Sequence, residues 1–130
     1  MRIAAIIAGI LLGLVFLMAS VTYFFDLYPK DKMPTPTPLV AQFMEVFIST
    51  HWMTLVKTCE LLGAVLVMIP KTRRLGLLIL GPIIVNIFAF HIFVEKGDGL
   101  ANPMILALPV LALFLVWVER RTWAAFIRGG

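Results

Sequence analysis

Cysteine is almost missing from this chain, in which Cys59 is the only thiol. A single thiol forms no intramolecular disulfide, no C-x-x-C redox pair and no cysteine-based metal cluster. This excludes the disulfide-generating membrane oxidoreductases, which need several thiols. Cys59 also lies about 200° around a helix from Lys57, so we expect a small apolar filler that points away from the charged side of its helix.

Charged residues are scarce as well, at 14% of the sequence, whereas 62% of the residues are hydrophobic. A soluble domain has too little interior to bury that much apolar surface. The net charge of +4 does not indicate a nucleic-acid binder, because most of the charges flank apolar runs, where they anchor helices at lipid headgroups. The composition therefore predicts an integral protein of a lipid bilayer with no nucleic-acid partner.

Several functional motifs are missing too. The chain contains no phosphate-binding loop, no H-E-x-x-H zinc motif, no paired carboxylates in a soluble loop and no apparent internal repeat. The stretches between the apolar runs are too short to house an active site. We therefore expect any chemistry to lie among the membrane helices, predict no metal site, and leave open whether the protein is an enzyme.

Four apolar segments are long enough to cross about 30 Å of hydrocarbon at a rise of about 1.5 Å per residue. They are predicted at residues 3–25, 52–69, 75–94 and 103–118. The first is longer than the apolar part of a typical signal peptide, which favours an uncleaved helix. The predicted fold class is an all-α membrane protein, a single four-transmembrane-helix bundle over residues 1–130.

The stretch between the first and second spans has two parts. Residues 33–38, M-P-T-P-T-P, predict an extended strap because three alternating prolines prevent a helix. Residues 39–49 predict a short helix with one apolar face, formed by Val40, Phe43, Met44, Phe47 and Ile48. This helix is too short to span, so we expect an interfacial connector or, alternatively, a lid over the bundle.

Basic residues are distributed unevenly between the two ends of the predicted bundle. Seven flank one end: Arg2, Lys71, Arg73, Arg74, Arg120, Arg121 and Arg128. Three flank the other end: Lys30, Lys32 and Lys96. Because loops rich in Lys and Arg stay on the inner side, this asymmetry predicts that both termini are cytoplasmic.

The second span contains two charges, Lys57 and Glu60, within the sequence V-K-T-C-E-L-L-G. Each charge costs about 2.5–3.5 kcal/mol at the centre of a membrane helix. The two residues are three positions apart, about 60° around the helix, so their side chains can meet. Gly63 follows one turn later, and we expect it to let a neighbouring helix approach closely.

The third span adds two polar side chains, Asn86 and His91. Because the second span runs inward and the third outward, a rise of about 1.5 Å per residue puts both at depths similar to those of Lys57 and Glu60, from mid-membrane outward. We predict that these four residues bind a ligand, with a purely structural polar knot as the alternative. Asn86 and His91 lie about 140° apart on an ideal helix, so a shared pocket needs either a bend at Pro82 or a wide polar arc.

The spacing of these residues resembles the DoxX family of small bacterial four-helix membrane proteins. The resemblance rests on K-T-C-E-L-L-G at 57–63 and P-I-I-V-N-I-F-A-F-H at 82–91, with the basic pair R-R at 73–74 between them. It covers most of the chain, including the proline-rich outer loop, and implies a location in the bacterial inner membrane. Some relatives carry a further polar residue late in the first helix, where this chain offers Thr22 and Tyr23.

The resemblance also implies a redox role, because the family takes its name from a subunit of a thiosulfate:quinone oxidoreductase and other members are linked to thiol stress. The first hypothesis is therefore a redox-associated subunit with a pocket for a quinone or another lipid-soluble molecule. A proton-coupled small transporter that uses Glu60 and a non-catalytic assembly subunit are the alternatives. A redox protein or a second copy of the chain is the expected partner. Haem held by His51 and His91 is disfavoured, because such sites usually lie deeper.

Overall fold

The computed structural model describes residues 2–29, 31, 33, 35–97 and 100–129, and within them every regular element is helical. The helices are α1 (Arg2–Phe24), α2 (Pro38–Ser49), α3 (Trp52–Met68), α4 (Arg73–Ala89), a π-helical turn (Phe90–Val94), α5 (Pro103–Val118) and α6 (Arg120–Ile127). The all-α fold class is thus confirmed. Lys30, Lys32 and Pro34, which the topology and strap predictions used, lie outside the described residues.

Local sequence signals explain where α2 and α5 begin. Thr37 accepts a hydrogen bond from the Val40 amide at 3.4 Å, and Pro38 occupies the first turn of α2. Asn102 accepts one from the Met104 amide at 3.0 Å, again with a proline in the first turn. A capping side chain followed by proline is a strong helix start, because the cap satisfies a free amide and proline lacks one.

Two helices are by themselves long and apolar enough to cross a membrane: Arg2–Phe24 and, counted through the π-helical turn, Arg73–Val94. Two further candidates exist if each bent pair counts as one span, α2 with α3 (79° bend) and α5 with α6 (74° bend). Alone, the 17 residues of α3 and 16 of α5 extend about 24–26 Å, a few ångströms less than a typical hydrocarbon core.

Helix α3 lies at the centre of the fold, packed along α1 on one side and α4 on the other, while α5 closes the bundle against α1. The closest approach is at Val67, where Gly9 of α1 and Gly76 of α4 both come so near that an added Cβ would lie 2.8 Å and 2.5 Å from backbone atoms of Val67. Small residues permit such tight packing of membrane helices.

The outer faces of the helices are apolar as well. Exposed large side chains include Ile7, Leu11, Leu14 and Met18 of α1, Leu75, Leu78 and Val85 of α4, and Val110 and Leu113 of α5. Their hydrophobicity needs no protein partner in a bilayer, because lipid tails cover such surfaces. The fold therefore has the surface of a membrane-associated protein.

Helix α6 is an element that sequence analysis did not predict. Its eight residues follow directly on α5 after the 74° bend. The predicted end at Val118 agrees with the end of α5, and no element was predicted beyond it. A helix of this length has too weak a periodicity to be distinguished from a polar tail in the sequence.

Candidate functional site

The four residues predicted to bind a ligand line one cavity of about 530 Å³ between α2, α3 and the end of α4. Lys57 and Glu60 enter it from α3, whereas Asn86 and His91 enter it from α4 and the π-helical turn. The rest of the wall is apolar: Phe43, Met44, Phe47, Trp52, Met53, Val56, Ile83, Ile87, Ala89, Phe90, Phe93 and Val94. The structure thus combines a small polar group with a large apolar surface.

Lys57 and Glu60 form an ion pair, with Nζ 3.0 Å from Oε2 and side chains only 16% and 5% exposed. The contact lacks hydrogen-bond geometry, so Glu60 Oε2 is buried without a hydrogen-bond partner among the described residues. A buried charge pair is tolerated when its remaining hydrogen-bond donors and acceptors also find partners. Glu60 Oε2 can still accept a hydrogen bond, so this acceptor is available to a bound molecule.

Ser20 of α1 contacts the backbone of Lys57, and the sequence analysis predicted no role for it. Its fully buried hydroxyl donates to the Phe16 carbonyl at 2.9 Å and to the Lys57 carbonyl at 3.3 Å. This contact fixes the α3 backbone at the base of the Lys57 side chain. A serine within the apolar run of α1 is the sequence signal that could have found this contact.

The two polar residues predicted late in the first span do not line the cavity. Tyr23 instead makes a hydrogen bond with Thr54 of α3, with 2.9 Å between the hydroxyl oxygens. The Tyr23 hydroxyl therefore joins α1 to α3 at Thr54, one turn before Lys57. The geometry therefore gives no support to a cavity wall formed by Thr22 and Tyr23.

Asn86 and His91 both line the cavity, and α4 continues as one helix through Pro82. The residues of this stretch that line the cavity are Asn86, Ile87, Ala89, Phe90, His91, Phe93 and Val94. Such a run covers more than half of the circumference of a helix, so the cavity reaches around the end of α4. Both polar residues therefore lie on one wide wall of the cavity, which is otherwise apolar.

His91 sits in the π-helical turn, where the Glu95 amide donates to the Phe90 carbonyl at 3.0 Å. Its Nδ1 lies 3.3 Å from Glu95 Oε1 and is buried, again without hydrogen-bond geometry. Single π-helical turns occur frequently at functional sites. This turn therefore holds an imidazole at the cavity wall with a carboxylate beside it.

Helix α2 forms an aromatic roof over the cavity. Phe43 stacks on Phe47 with ring centroids 4.2 Å apart and touches Phe90 at 4.9 Å. Phe47 in turn lies 6.2 Å from the ring of Trp52 at the start of α3. Of the two roles considered for this segment, the lid matches the geometry, because the apolar face of α2 covers the cavity.

His51 stands apart from the site. It forms the corner between α2 and α3 with a left-handed backbone (φ 62°), is exposed, and does not line the cavity. The geometry therefore gives no support to haem ligation by His51 and His91. Among the described residues, no group of three or more His, Cys, Asp or Glu side chains could hold a metal ion.

Gly63 and Pro82, the two positions assigned a structural role, lie behind and beside the cavity. A Cβ on Gly63 would come within 2.7 Å of Leu80 Cδ2, so α4 uses the space that glycine leaves. Pro82 lies inside α4 and is exposed. Phe88 of α4 packs against the hydrophobic core and does not line the cavity.

Comparison with known proteins identifies no family. No family model matches the chain, and no solved structure matches it. A 69-residue stretch is 38% identical to the uncharacterized protein YwoB of Bacillus subtilis (strain 168), a match that covers 53% of this chain and 43% of that protein. The match thus spans less than half of the relative's length, and the resemblance to the DoxX family stays a prediction.

Proposed function

We propose that this chain is a four-span membrane protein of the DoxX type whose cavity binds a quinone or another lipid-soluble molecule within a redox system. The observation that carries this proposal is the cavity of about 530 Å³, in which an apolar and aromatic wall surrounds the buried Lys57–Glu60 pair, Asn86 and His91. Its volume lies within the range of about 300–1,000 Å³ that is usual for small-molecule sites.

The four-span arrangement is supported by the two bent pairs. Contacts between Arg74 and Glu119 join the start of α4 to the end of α5, while the contact between Phe43 and Phe90 joins α2 to the other end of α4. Helices α2 and α6 therefore lie at opposite ends of the bundle, as two interfacial helices would. The excess of arginine at the α6 end makes this the cytoplasmic side of a bacterial inner membrane.

The site chemistry suits a quinone. A quinone needs an apolar slot, hydrogen-bond donors for two carbonyl oxygens and groups that exchange protons. Lys57 and Asn86 can donate hydrogen bonds, whereas the Glu60 carboxyl and the His91 imidazole are groups that can exchange protons with a ligand. Phe90 and Phe93 supply ring surfaces at the cavity wall.

The deciding experiment is mass spectrometry of small molecules extracted from protein purified in a mild detergent. Wild type is expected to carry a near-stoichiometric quinone or similar molecule, and Glu60→Gln to lose it. Glu45→Gln is the matched control, because Glu45 lies on exposed α2 surface outside the cavity. Bulk phospholipid alone in all three samples would contradict the proposal and favour the assembly subunit that docks a partner.

The burial of Glu60 Oε2, whose close contact among the described residues is the Lys57 ammonium at 3.0 Å, also favours a second candidate, a proton-coupled transporter with Glu60 as carrier. Purified protein in liposomes would then show a substrate-driven proton flux that Glu60→Gln abolishes and Glu45→Gln leaves intact. A tightly retained ligand without any such flux would speak for the quinone site instead.

A further inference from the structure

A second cavity, far from the first, lies at the elbow between α5 and α6. It has a volume of about 330 Å³ and is lined by Arg74, Val118, Glu119, Arg120, Arg121 and Thr122. Three arginines against one glutamate leave an excess of positive charge around a small polar opening. The cavity therefore has the charge and size for an anionic group.

The arginines are held by different contacts. Glu119 pairs with Arg74 Nε at 2.7 Å and with a terminal nitrogen of Arg73 at 3.5 Å, so its charge is already neutralised from α4. Arg120 donates to the Trp117 carbonyl at 3.0 Å and lies 4.4 Å from the centre of that ring. Arg121 has no ion pair or side-chain hydrogen bond within the described part of the chain. Among the described residues, two guanidinium groups thus stay uncompensated by any carboxylate.

Helix α6 has two distinct edges beside this cavity. Its basic residues, Arg120, Arg121 and Arg128, fall within an arc of about 100°. Phe126 lies about 120° from Arg120 and is 72% exposed, while Ile127 borders the basic arc beside Arg120 and is 82% exposed, so apolar surface adjoins the basic one. A short helix with a basic and an apolar edge is typical of a segment that lies at the surface of an anionic membrane.

We propose that the α5–α6 elbow binds the phosphate group of an anionic phospholipid. Phe126 and Ile127 insert among the acyl chains, while Arg120 and Arg121 contact the phosphodiester from the cavity rim. Arginine suits this role because its planar guanidinium forms paired hydrogen bonds to phosphate oxygens. The inference depends on the membrane location of the chain and is independent of what binds beneath α2.

The test uses the full chain purified in a non-ionic detergent and titrated with short-chain phosphatidylglycerol. Its readouts are tryptophan fluorescence and the midpoint of thermal unfolding. Saturable binding is expected, with half-saturation raised about fivefold in Arg121→Gln and on the order of tenfold or more in Arg120→Gln/Arg121→Gln. Arg128→Gln is the matched control, because it removes the same charge from the same helix outside the cavity lining.

Three outcomes would overturn the proposal. Phosphatidylcholine that binds as tightly as phosphatidylglycerol would show that charge is not recognised, and inorganic phosphate that binds as tightly would show that no lipid is needed. An equal loss in Arg128→Gln and Arg121→Gln would indicate general attraction to the basic helix rather than a site. Arg121→Gln removes no contact described within the chain, so its folding is expected to match wild type by circular dichroism.

Discussion

Lys57 and Glu60 show how a pair of single residues combines membrane insertion with a capacity to bind. Each charge alone is costly in a membrane helix, and the 3.0 Å contact between them reduces that cost. The contact lacks hydrogen-bond geometry and leaves Glu60 Oε2 without a hydrogen-bond partner among the described residues. A purely structural pair is expected to satisfy its groups more fully, which is why the cavity is interpreted as a binding site.

Removal of one member of this pair is expected to destabilise the protein more than removal of both. Lys57→Met leaves the Glu60 carboxylate without its cation and should cost about 1–3 kcal/mol of stability. Lys57→Met/Glu60→Leu should recover most of that loss, because no unpaired charge remains. Thermal unfolding of the two variants in detergent checks this, and strictly additive losses would contradict it.

Tyr28, in the loop after α1, provides a probe of the Glu60 charge. Partial burial raises the pKa of the Tyr28 phenol above its ordinary value of 10.0, and the Glu60 carboxylate raises this pKa further. A raised folded-state pKa favours the neutral phenol, so the stability it contributes is complete below about pH 10 and lost as pH rises through the folded-state pKa.

Glu60→Gln should therefore shift the pKa of Tyr28 part of the way back towards 10.0, because burial remains as the larger cause. The measurement is a phenolate absorbance titration in a Tyr23→Phe background, since the chain has only two tyrosines. An unchanged pKa in Glu60→Gln would show that Tyr28 does not sense this carboxylate.

Among the helices, α3 occupies the central position in the bundle. It contacts α1, α2 and α4, carries the ion pair, and receives the Ser20 hydroxyl on its backbone. Packing is tight at Gly63 and Val67, one and two turns beyond Glu60, where α4 approaches closely. The base of the site is therefore rigid, whereas its roof is a separate helix held largely by aromatic contacts.

The two glycines of α4 are expected to respond in opposite ways to alanine. In Gly76→Ala the new Cβ would lie 2.5 Å from the Val67 nitrogen, a backbone atom that cannot move aside, so a loss of about 1–3 kcal/mol is expected. In Gly81→Ala the Cβ meets nothing within 4 Å, so stability should stay equal or rise by up to about 1 kcal/mol. Unfolding midpoints of the two variants give the comparison, and equal effects would show that α4 does not pack as described.

For the whole molecule, the two short helices α2 and α6 define opposite ends. The 79° and 74° bends turn each of them sharply away from the spanning direction of its neighbour. At one end α2 covers the apolar cavity, and at the other α6 presents arginines beside the pair of Arg74 and Glu119. This polarity suits a protein with a lipid-soluble ligand at the outer face and anionic lipid at the inner face.

The proposed topology predicts opposite labelling of the two ends in intact bacterial cells. In a Cys59→Ser background, Glu45→Cys on α2 should react with a membrane-impermeant maleimide, whereas Arg128→Cys should react only after the membrane is permeabilised. Both positions are exposed, so burial does not mask either of them. Labelling of Arg128→Cys in intact cells would contradict cytoplasmic termini.

Helix positions were predictable because their signals are local. Apolar runs gave the long helices to within a few residues, and the capping residues Thr37 and Asn102 with their prolines mark the starts of α2 and α5. The polar residues within those runs were Lys57, Glu60, Asn86 and His91, which all line one cavity. Polar residues are rare in such helices, so each one stands out in the sequence.

Contacts between helices were not predictable in the same way, because they depend on rotation and on partners far along the chain. The Ser20 hydroxyl reaches the Lys57 carbonyl across 37 positions, and Arg74 reaches Glu119 across 45. The sequence pattern of α2 favoured an interfacial connector over a lid, whereas the bend at His51 brings Phe43, Met44 and Phe47 of α2 to the cavity wall. Local sequence therefore determines which segments become helices. Packing determines which side chains meet, because the rotation of each helix about its axis has to suit its contacts with several neighbouring helices at once.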